Sequence, residues 1–448
     1  MAELPGADLQ QDGEPWTVVE FFAGMGGMRC AGAESRAQMR FAAAYEISEV
    51  CQKAYCHNFG TSEWRLKTIE RLPVEELDAI GADVWLMSPP CQPFTRSGRR
   101  QDHEDNRTAG LLHLIDALPQ MRRPPRRLLL ENVIGFERSE CRRRLLAALA
   151  GLGWEAAEFA LDPEDFGLPN RRPRYYGLFR SGGGRGEDRP ACRWRPVAEV
   201  LSDAGEPLLQ GAPGPACPPP PLGDFLQSLE GAVAEEAALG SGLEVPQEVL
   251  QERAEKEGRL DLHLRSDRTS ACLTKVNGRL PRGFSPLVLV DEEEAGPLEQ
   301  RPKVSAQGEG PGAATDHIWR PGVRVRYLSP TEQLRLMGYS ADYAFPAALS
   351  FRDRCSLLGN SLNVRIVAWL LRLLLPEGLS ADEDSPRCSA SRTTSTALVA
   401  RGWGPRERQD TGRVCGGRGG ARARAGGPEA EEGGDGVRTE EGEEGEEA

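Results

Sequence analysis

Residues 88–98 read Ser-Pro-Pro-Cys-Gln-Pro-Phe-Thr-Arg-Ser-Gly, placing one thiol, Cys91, in a loop stiffened by Pro89, Pro90 and Pro93. Proline fixes φ and has no N–H for a ladder, so the apolar run Val84-Trp85-Leu86-Met87 must end as a strand just before it. Ligands gather at the carboxyl ends of strands in open α/β sheets, so a thiol held there is a candidate nucleophile. An isolated cysteine is more often a structural core residue. Here the prolines and polar neighbours favour the nucleophile. A second candidate is Glu131 in Glu131-Asn132-Val133, directly after the apolar run Leu128-Leu129-Leu130. A parallel sheet brings its carboxylate to the same edge as Cys91. Facing a base, Glu131 could hydrogen-bond N3 and the exocyclic amine of cytosine, draw electron density from the ring and open C6 to a thiolate. As an ordinary carboxylate after a strand it would cap a helix. A third is Asn170-Arg171-Arg172-Pro173-Arg174, ahead of the apolar run Tyr175–Phe179. In extended chain Arg172 and Arg174 point to one face, as a pair suited to a base carbonyl and a phosphate or as a surface ion pair.

Positioning these groups requires a sheet with a ligand-binding turn. Thr17–Phe22 reads as a strand that runs into Gly24-Met25-Gly26-Gly27, and a second strand, Phe41–Tyr45, ends just before Glu46. A glycine turn lets backbone approach a ligand at a helix N-terminus, and an acid at this spacing can bind ribose hydroxyls. The pattern suits a nucleoside-containing cofactor and by itself fits a dinucleotide as well as S-adenosylmethionine. Glu46-Ile47-Ser48-Glu49 begins a helix toward His57, and Arg142–Leu149 reads as another. This βαβ rhythm from Trp16 to about Arg180 predicts an α/β fold, a mostly parallel sheet with helices on both faces.

The rhythm breaks at about Ser181. Gly/Pro-rich stretches, the Pro218–Pro221 run and the acidic patch Asp291–Glu294 predict a smaller, loop-rich domain with flexible insertions over 181–325. Order returns at 326–376: Ser329 caps, Pro330 suits the first helical position, Glu332 completes a capping box, Gly338 stops the run, and Leu362–Leu375 forms a last helix. Residues 1–14 read as a flexible N-terminus and 377–448, rich in Gly, Ser, Arg and then Glu, as a disordered tail.

The net charge of −13 lies largely in ten acidic residues from Glu429 onward, so it does not exclude nucleic acid. Arginines cluster around the candidate groups: Arg96, Arg99, Arg100 and Arg107, then Arg122, Arg123, Arg126 and Arg127, then Arg171, Arg172 and Arg174. Such clusters suit phosphates or form a solvated face. The 11 cysteines are irregularly spaced with no signal peptide, and no run of eighteen apolar residues offers a membrane span. The expectation is a soluble, cytoplasmic protein, with the nucleus as a second location. Cys51, Cys56 and His57 lack a second ligand pair at finger spacing, so no metal is expected.

Together, the glycine turn, the acid, Pro-Cys-Gln, Glu-Asn-Val, Arg-x-Arg and Gly359-Asn360-Ser361-Leu362-Asn363-Val364 resemble the motif series of the cytosine-5 methyltransferase family. The resemblance covers about Val18–Arg180 and Arg326–Leu375. It implies a Rossmann-like methyltransferase sheet over 15–180 completed by 326–376, a target-recognition domain over 181–325, and S-adenosylmethionine as methyl donor. Carried over motif by motif, it implies Cys91, Glu131, Arg172 and Arg174 as catalytic residues. The cofactor would lie on Met25, Gly26, Gly27, Glu46, Ile47, Ile69, Glu70, Ser88 and Ser361. The full Ser-Pro-Pro-Cys-Gln-Pro-Phe-Thr-Arg run, Leu-Leu-Glu-Asn-Val and Lys67-Thr68-Ile69-Glu70 look most like the tRNA branch, which modifies the anticodon loop of aspartate tRNA. Cys272-Leu273-Thr274-Lys275 is similar to that branch's Cys-Phe-Thr signature, with leucine for phenylalanine, and Val276-Asn277-Gly278 stand where tyrosines usually follow. A base in an anticodon loop also leaves its stack at less cost than one in a duplex. The partner expected is therefore tRNA, aspartate tRNA first, with weak DNA binding allowed and no membrane. The rival readings are a DNA methyltransferase, a silent nucleic-acid-binding scaffold and a nicotinamide oxidoreductase; the last leaves Cys91, Glu131 and the arginine pair unexplained.

Overall fold

The computed structural model describes residues 14–94, 102–182, 192–203, 207, 209–212, 218–240, 242–257, 260–275, 286–290, 292, 298, 300–302 and 315–375. All of them lie in the first of two compact units, Met1–Trp403. One sheet carries β1 (Trp16–Phe21), β2 (Met39–Glu46), β3 (Trp64–Leu66), β4 (Val84–Met87), β5 (Arg127–Val133), β6 (Trp154–Leu161), β7 (Arg174–Ser181) and β8 (Arg195–Pro196). Their order is β3-β2-β1-β4-β5-β7-β6-β8. The first five run parallel, while β7, β6 and β8 pair antiparallel.

Helices α1 (Gly27–Ser35), α2 (Glu49–Phe59), α3 (Val74–Ile80), α4 (Ala109–Ala117), α5 (Glu140–Gly151) and α6 (Val197–Ser202) connect or flank these strands. After them come α7 (Leu229–Leu239), α8 (Gln247–Glu257), α9 (Pro330–Leu336), α10 (Phe351–Asn360) and α11 (Val364–Leu374). Strand alternation sends Leu129 to one face and Leu128 and Leu130 to the other. The first face packs with α1, α9 and α11, the second with α4 and α5. This is the α/β sheet with helices on both faces that the sequence predicts.

Element ends follow local chemistry. Ser48 caps α2 by accepting from Cys51 N–H, and the capping box of α9 forms as expected, Ser329 and Glu332 each accepting the other's N–H. The apolar run Phe351–Leu374 is long enough by composition to cross a bilayer, yet it is broken into α10 and α11 and mostly buried within the protein. Strand β6, like β3 and helices α3 and α4, is absent from the sequence reading. Its residues, Trp-Glu-Ala-Ala-Glu-Phe-Ala-Leu, include good helix formers, and pairing with β7 and β8 overrides that propensity.

In the 181–325 region, β9 (Leu262–His263) and β10 (Leu287–Leu289) join β13 (Val325–Tyr327) in a small sheet, while β11 (Gln300–Pro302) and β12 (Thr315–His317) pair with each other. Val245, Leu250, Leu262, Leu287 and Val325 form a separate small core. The N-terminus to residue 13, Arg96, Arg99, Arg100, Val276-Asn277-Gly278 and the 377–448 tail lie outside the described residues.

Candidate active site

The parallel register gathers the predicted groups at one sheet edge. Phe21 at the end of β1 lies beside Tyr45 of β2 and Met87 of β4, and Met87 lies beside Leu130 of β5. The glycine turn, Glu46, Ser88, Cys91 and Glu131 therefore share the carboxyl edge. Arg174 joins them because β7 runs the other way and starts there, opposite Val133. Strand β5 extends past Leu130 to Val133, so Glu131 sits within the strand and caps no helix.

Glu131 is buried, with Ser88 Oγ donating to its Oε2 at 2.7 Å and Arg174 Nε 3.6 Å from its Oε1. Next to it, buried Asn132 donates from Nδ2 to Pro89 O at 3.2 Å and so fastens the cysteine loop to β5. Phe94 N–H closes that loop onto Cys91 O at 3.0 Å, and its ring meets Phe136 edge-on. Burial pushes the Cys91 thiol above its ordinary value and the Glu131 charge pushes it further, against Arg174 and Arg172. Arg174 and Arg172 thus favour the thiolate, yet burial and Glu131 outweigh them.

Arg172 is buried and faces backbone. Its Nη1 donates to Leu273 O at 2.7 Å and lies 3.5 Å from Cys272 Sγ; its Nη2 donates to Gly359 O at 3.0 Å and Ser361 O at 2.5 Å. Its Nε–H is buried with no partner among the described residues. Burial lowers its pKa, and Arg174 adds to that. Arg172 thereby bolts three segments together: the start of β7, the Cys-Leu-Thr-Lys loop and the Gly-Asn-Ser run. The last two pack backbone to backbone, since a Cβ on Gly359 would lie 2.1 Å from Lys275 N. Arg174 is the guanidinium that faces the carboxylate. Burial would lower its pKa, but Cys272, Glu131 and Cys91 together raise it.

On the neighbouring strands, Gly24 and Gly26 take positive φ of 54° and 87°, the left-handed turn that admits glycine. Gly24 N–H donates to Glu46 Oε2 at 3.1 Å, while Ile47 and Ser48 N–H reach Glu46 Oε1 at 2.8 and 3.1 Å. Ile47 is 68% exposed beside this carboxylate, an apolar side chain with no core to join. Ile69 is buried and Glu70 exposed on the short turn Ile69–Arg71. Met25 O accepts from Tyr343 OH at 2.8 Å, and Gly27, which opens α1, faces Tyr339 and Leu362. Ser361 Oγ lies 2.6 Å from Tyr339 OH.

The expected arginine cluster does not form one surface. Arg126 and Arg127 stand at the start of β5 and lie over the Trp16 ring, Arg126 also meeting Asp83, while Arg122 and Arg123 donate their backbone N–H groups to Asp78. They occupy the amino edge of the parallel strands, opposite Cys91, because a strand's start and end cannot share an edge. Arg107 remains near the site, bidentate on Asp105 and within electrostatic reach of Cys91. The sequence reading gave no role to Asn132 or Tyr339. Asn132 could have been suspected from its place beside Glu131, whereas nothing along the chain signals Tyr339.

The signature of the C-5 cytosine-specific DNA methylases matches residues 16–180. A tRNA (cytosine(38)-C(5))-methyltransferase of Rattus norvegicus is 30% identical over 410 residues, covering 81% of this chain and 99% of the relative. The chain belongs to the cytosine-5 methyltransferase family. The Homo sapiens protein of the same name is 29% identical, and so is a Dictyostelium discoideum protein named DNA (cytosine-5)-methyltransferase, each matching 81% of this chain. The solved structure of a Spodoptera frugiperda DNMT2 mutant superposes with a TM-score of 0.61 at 27% identity, covering 80% of this chain and 99% of that one. Cytosine-5 methyltransferases depend on S-adenosylmethionine, and the residues at this edge are of types that suit such a molecule. The glycine turn, the carboxylate collared by backbone N–H groups and the exposed Ile47 together suit a nucleoside.

Proposed function

We propose that this cytosine-5 methyltransferase acts on tRNA, at the cytosine of the anticodon loop numbered 38 in its relatives' names, with aspartate tRNA as first substrate. The relatives' names support the choice of tRNA, and the observation that carries the chemistry is the meeting of Cys91, Ser88–Glu131 and Arg174 at one edge beside the glycine turn. Cys91 is the nucleophile toward C6 of a flipped-out cytosine. Glu131, steadied by Ser88, binds N3 and the exocyclic amine, and Arg174 lies alongside to hold the base's polar edge. Arg172 holds both flanking loops at fixed distance from that base.

The thiol's position in this electrostatic field gives the order of events. Glu131 is the largest charge opposing thiolate. Once its carboxylate is engaged by the base, that opposition falls and the two arginines favour the anion. The thiol proton leaves to water and Glu131 takes one up on engaging the base; the thiolate electron pair then forms the S–C6 bond, and the negative charge that moves into the ring toward C5 is stabilised by the proton Glu131 donates to N3. S-Adenosylmethionine, when bound on Met25, Gly26, Gly27, Glu46, Ile47, Ile69, Glu70, Ser88 and Ser361, supplies an electrophilic methyl group. Loss of the C5 proton to water returns its electron pair to the ring, and the S–C6 bond breaks to release Cys91 as thiolate.

The test is transfer of labelled methyl from S-adenosylmethionine to total tRNA and to duplex DNA, by wild type and Cys91→Ala. Labelling of tRNA that the variant abolishes is expected. Activity surviving in Cys91→Ala removes the nucleophile assignment. The Dictyostelium relative's name makes duplex DNA the second reading, and preferential DNA labelling would establish it.

A further inference from the structure

Ser361 is fixed from three sides. Its N–H donates to Leu358 O at 3.1 Å, its carbonyl accepts from Arg172 at 2.5 Å, and its Oγ lies 2.6 Å from Tyr339 OH. Tyr339 is itself wedged in place. It follows Gly338, whose φ is 78°, and its ring packs edge-on against Tyr343 at 4.8 Å. Its hydroxyl stands 3.0 Å from where a Cβ on Gly27 would sit, so the phenol lies between the glycine turn and Ser361.

Each hydroxyl has one proton, and the 2.6 Å contact uses only one of the two. If Ser361 donated, the Tyr339 proton would be left in a buried place where no other acceptor is seen among the described residues. If Tyr339 donates, the proton left over belongs to Ser361, which is only half-buried. An unmet donor costs most where water is excluded, so the direction is Tyr339 to Ser361. Burial also holds the phenol well above its ordinary pKa, so it remains a donor at any working pH.

We infer that Tyr339 is a positioning residue for the cofactor: by donating to Ser361 Oγ it turns the serine's only proton outward, toward a carboxylate such as that at the amino-acid end of S-adenosylmethionine. This rests on the cofactor reading above. Tyr339→Phe keeps the ring and removes the proton that sets this direction. Ser361 can then rotate and lose its grip on the anion.

Calorimetric titration with S-adenosylhomocysteine, alongside steady-state KM and kcat, tests the inference on wild type, Tyr339→Phe, Ser361→Ala and the double variant. Expected are a Kd and a cofactor KM raised roughly fivefold to tenfold in Tyr339→Phe, about the value of one hydrogen bond, with kcat nearly unchanged. The double variant should be no weaker than Ser361→Ala. Unchanged Kd in Tyr339→Phe, or losses that simply add, overturns the inference and leaves the cofactor reading intact. Absence of binding by wild type overturns both. Should Tyr339→Phe not fold, fluorotyrosine at 339 replaces it. A more acidic phenol donates more strongly and should tighten Kd, and a Kd indifferent to ring fluorination also overturns the inference.

Discussion

At the amino edge of the parallel strands, Arg126 and Arg127 lie 4.9 and 5.7 Å from the Trp16 ring centre, and Arg126 meets Asp83 at 3.4 Å. At the carboxyl edge, Arg172 is buried on three backbone carbonyls with Nε–H unmatched, and Arg174 stands 3.6 Å from Glu131. The same residue type thus serves two ends of one sheet. Part-exposed pairs such as Arg126–Asp83 contribute little and can be lost at little cost. A buried guanidinium whose partners are carbonyls is expensive to place and fixes whatever it touches. The amino edge is built to tolerate change, while the carboxyl edge trades stability for position.

The contrast is sharpest in Arg172→Lys, which keeps the charge and loses the fork. With Gly359, Ser361 and Leu273 no longer joined, kcat/KM should fall by about 10²-fold, the scale of a small misplacement, whereas Arg126→Ala should leave it within experimental error. Equal losses in the two variants would erase the distinction between the edges. Alkylation of Cys91 by iodoacetamide should rise roughly tenfold per pH unit, in proportion to thiolate, without levelling off at 9.0, the ordinary thiol value. Arg174→Gln should move that limb still further alkaline, because it removes a cation that opposes the shift. A plateau near neutrality would show that the arginines already prevail without substrate. Ser88→Ala removes one hydrogen bond to Glu131 and should cost about tenfold in kcat/KM, with the melting temperature nearly unchanged.

The smallest effect concerns Glu20, a carboxyl buried in β1 with no side-chain partner for its oxygens among the described residues. Burial raises its pKa from 4.5 to about 8; Arg29 and the Met28 backbone N–H oppose that, and Glu46 adds to it. The folded state therefore holds this proton more tightly than the unfolded chain. The stability it contributes is fully present below pH 4.5 and is lost as pH rises toward 8. Glu20→Gln should flatten this decline and melt a few degrees higher than wild type near pH 8. Parallel melting curves across that range would contradict the assignment.

Much of the carboxyl edge was legible because its markers are local. Prolines end β4 beside Cys91, glycines turn the chain after β1, and Ser329 with Glu332 writes the start of α9. The arginine grouping failed because proximity along the chain ignores strand direction: Arg127 and Glu131 are four residues apart and stand toward opposite edges. Strand β6 was hidden by alanines and glutamates, including Glu158, which is buried only because Arg142 and Tyr175 reach it. The partnership of Tyr339 with Ser361, and Arg172's hold on Leu273, join segments whose spacing carries no period. The pairing of elements decides those contacts, and a linear pattern cannot show it.

Helix α11 packs on α1 and covers the sheet face that begins at β1, although it comes more than three hundred residues later. During synthesis, strands β1–β7 leave the ribosome long before this cover exists. At 5–20 residues per second the wait is roughly ten to forty seconds, during which Val18, Leu86 and Leu129 have α1 but neither α9 nor α11 over them. The newborn chain therefore needs a holding partner or a slow sheet, and pulse proteolysis of ribosome-stalled chains should show protection arriving only once α11 has emerged.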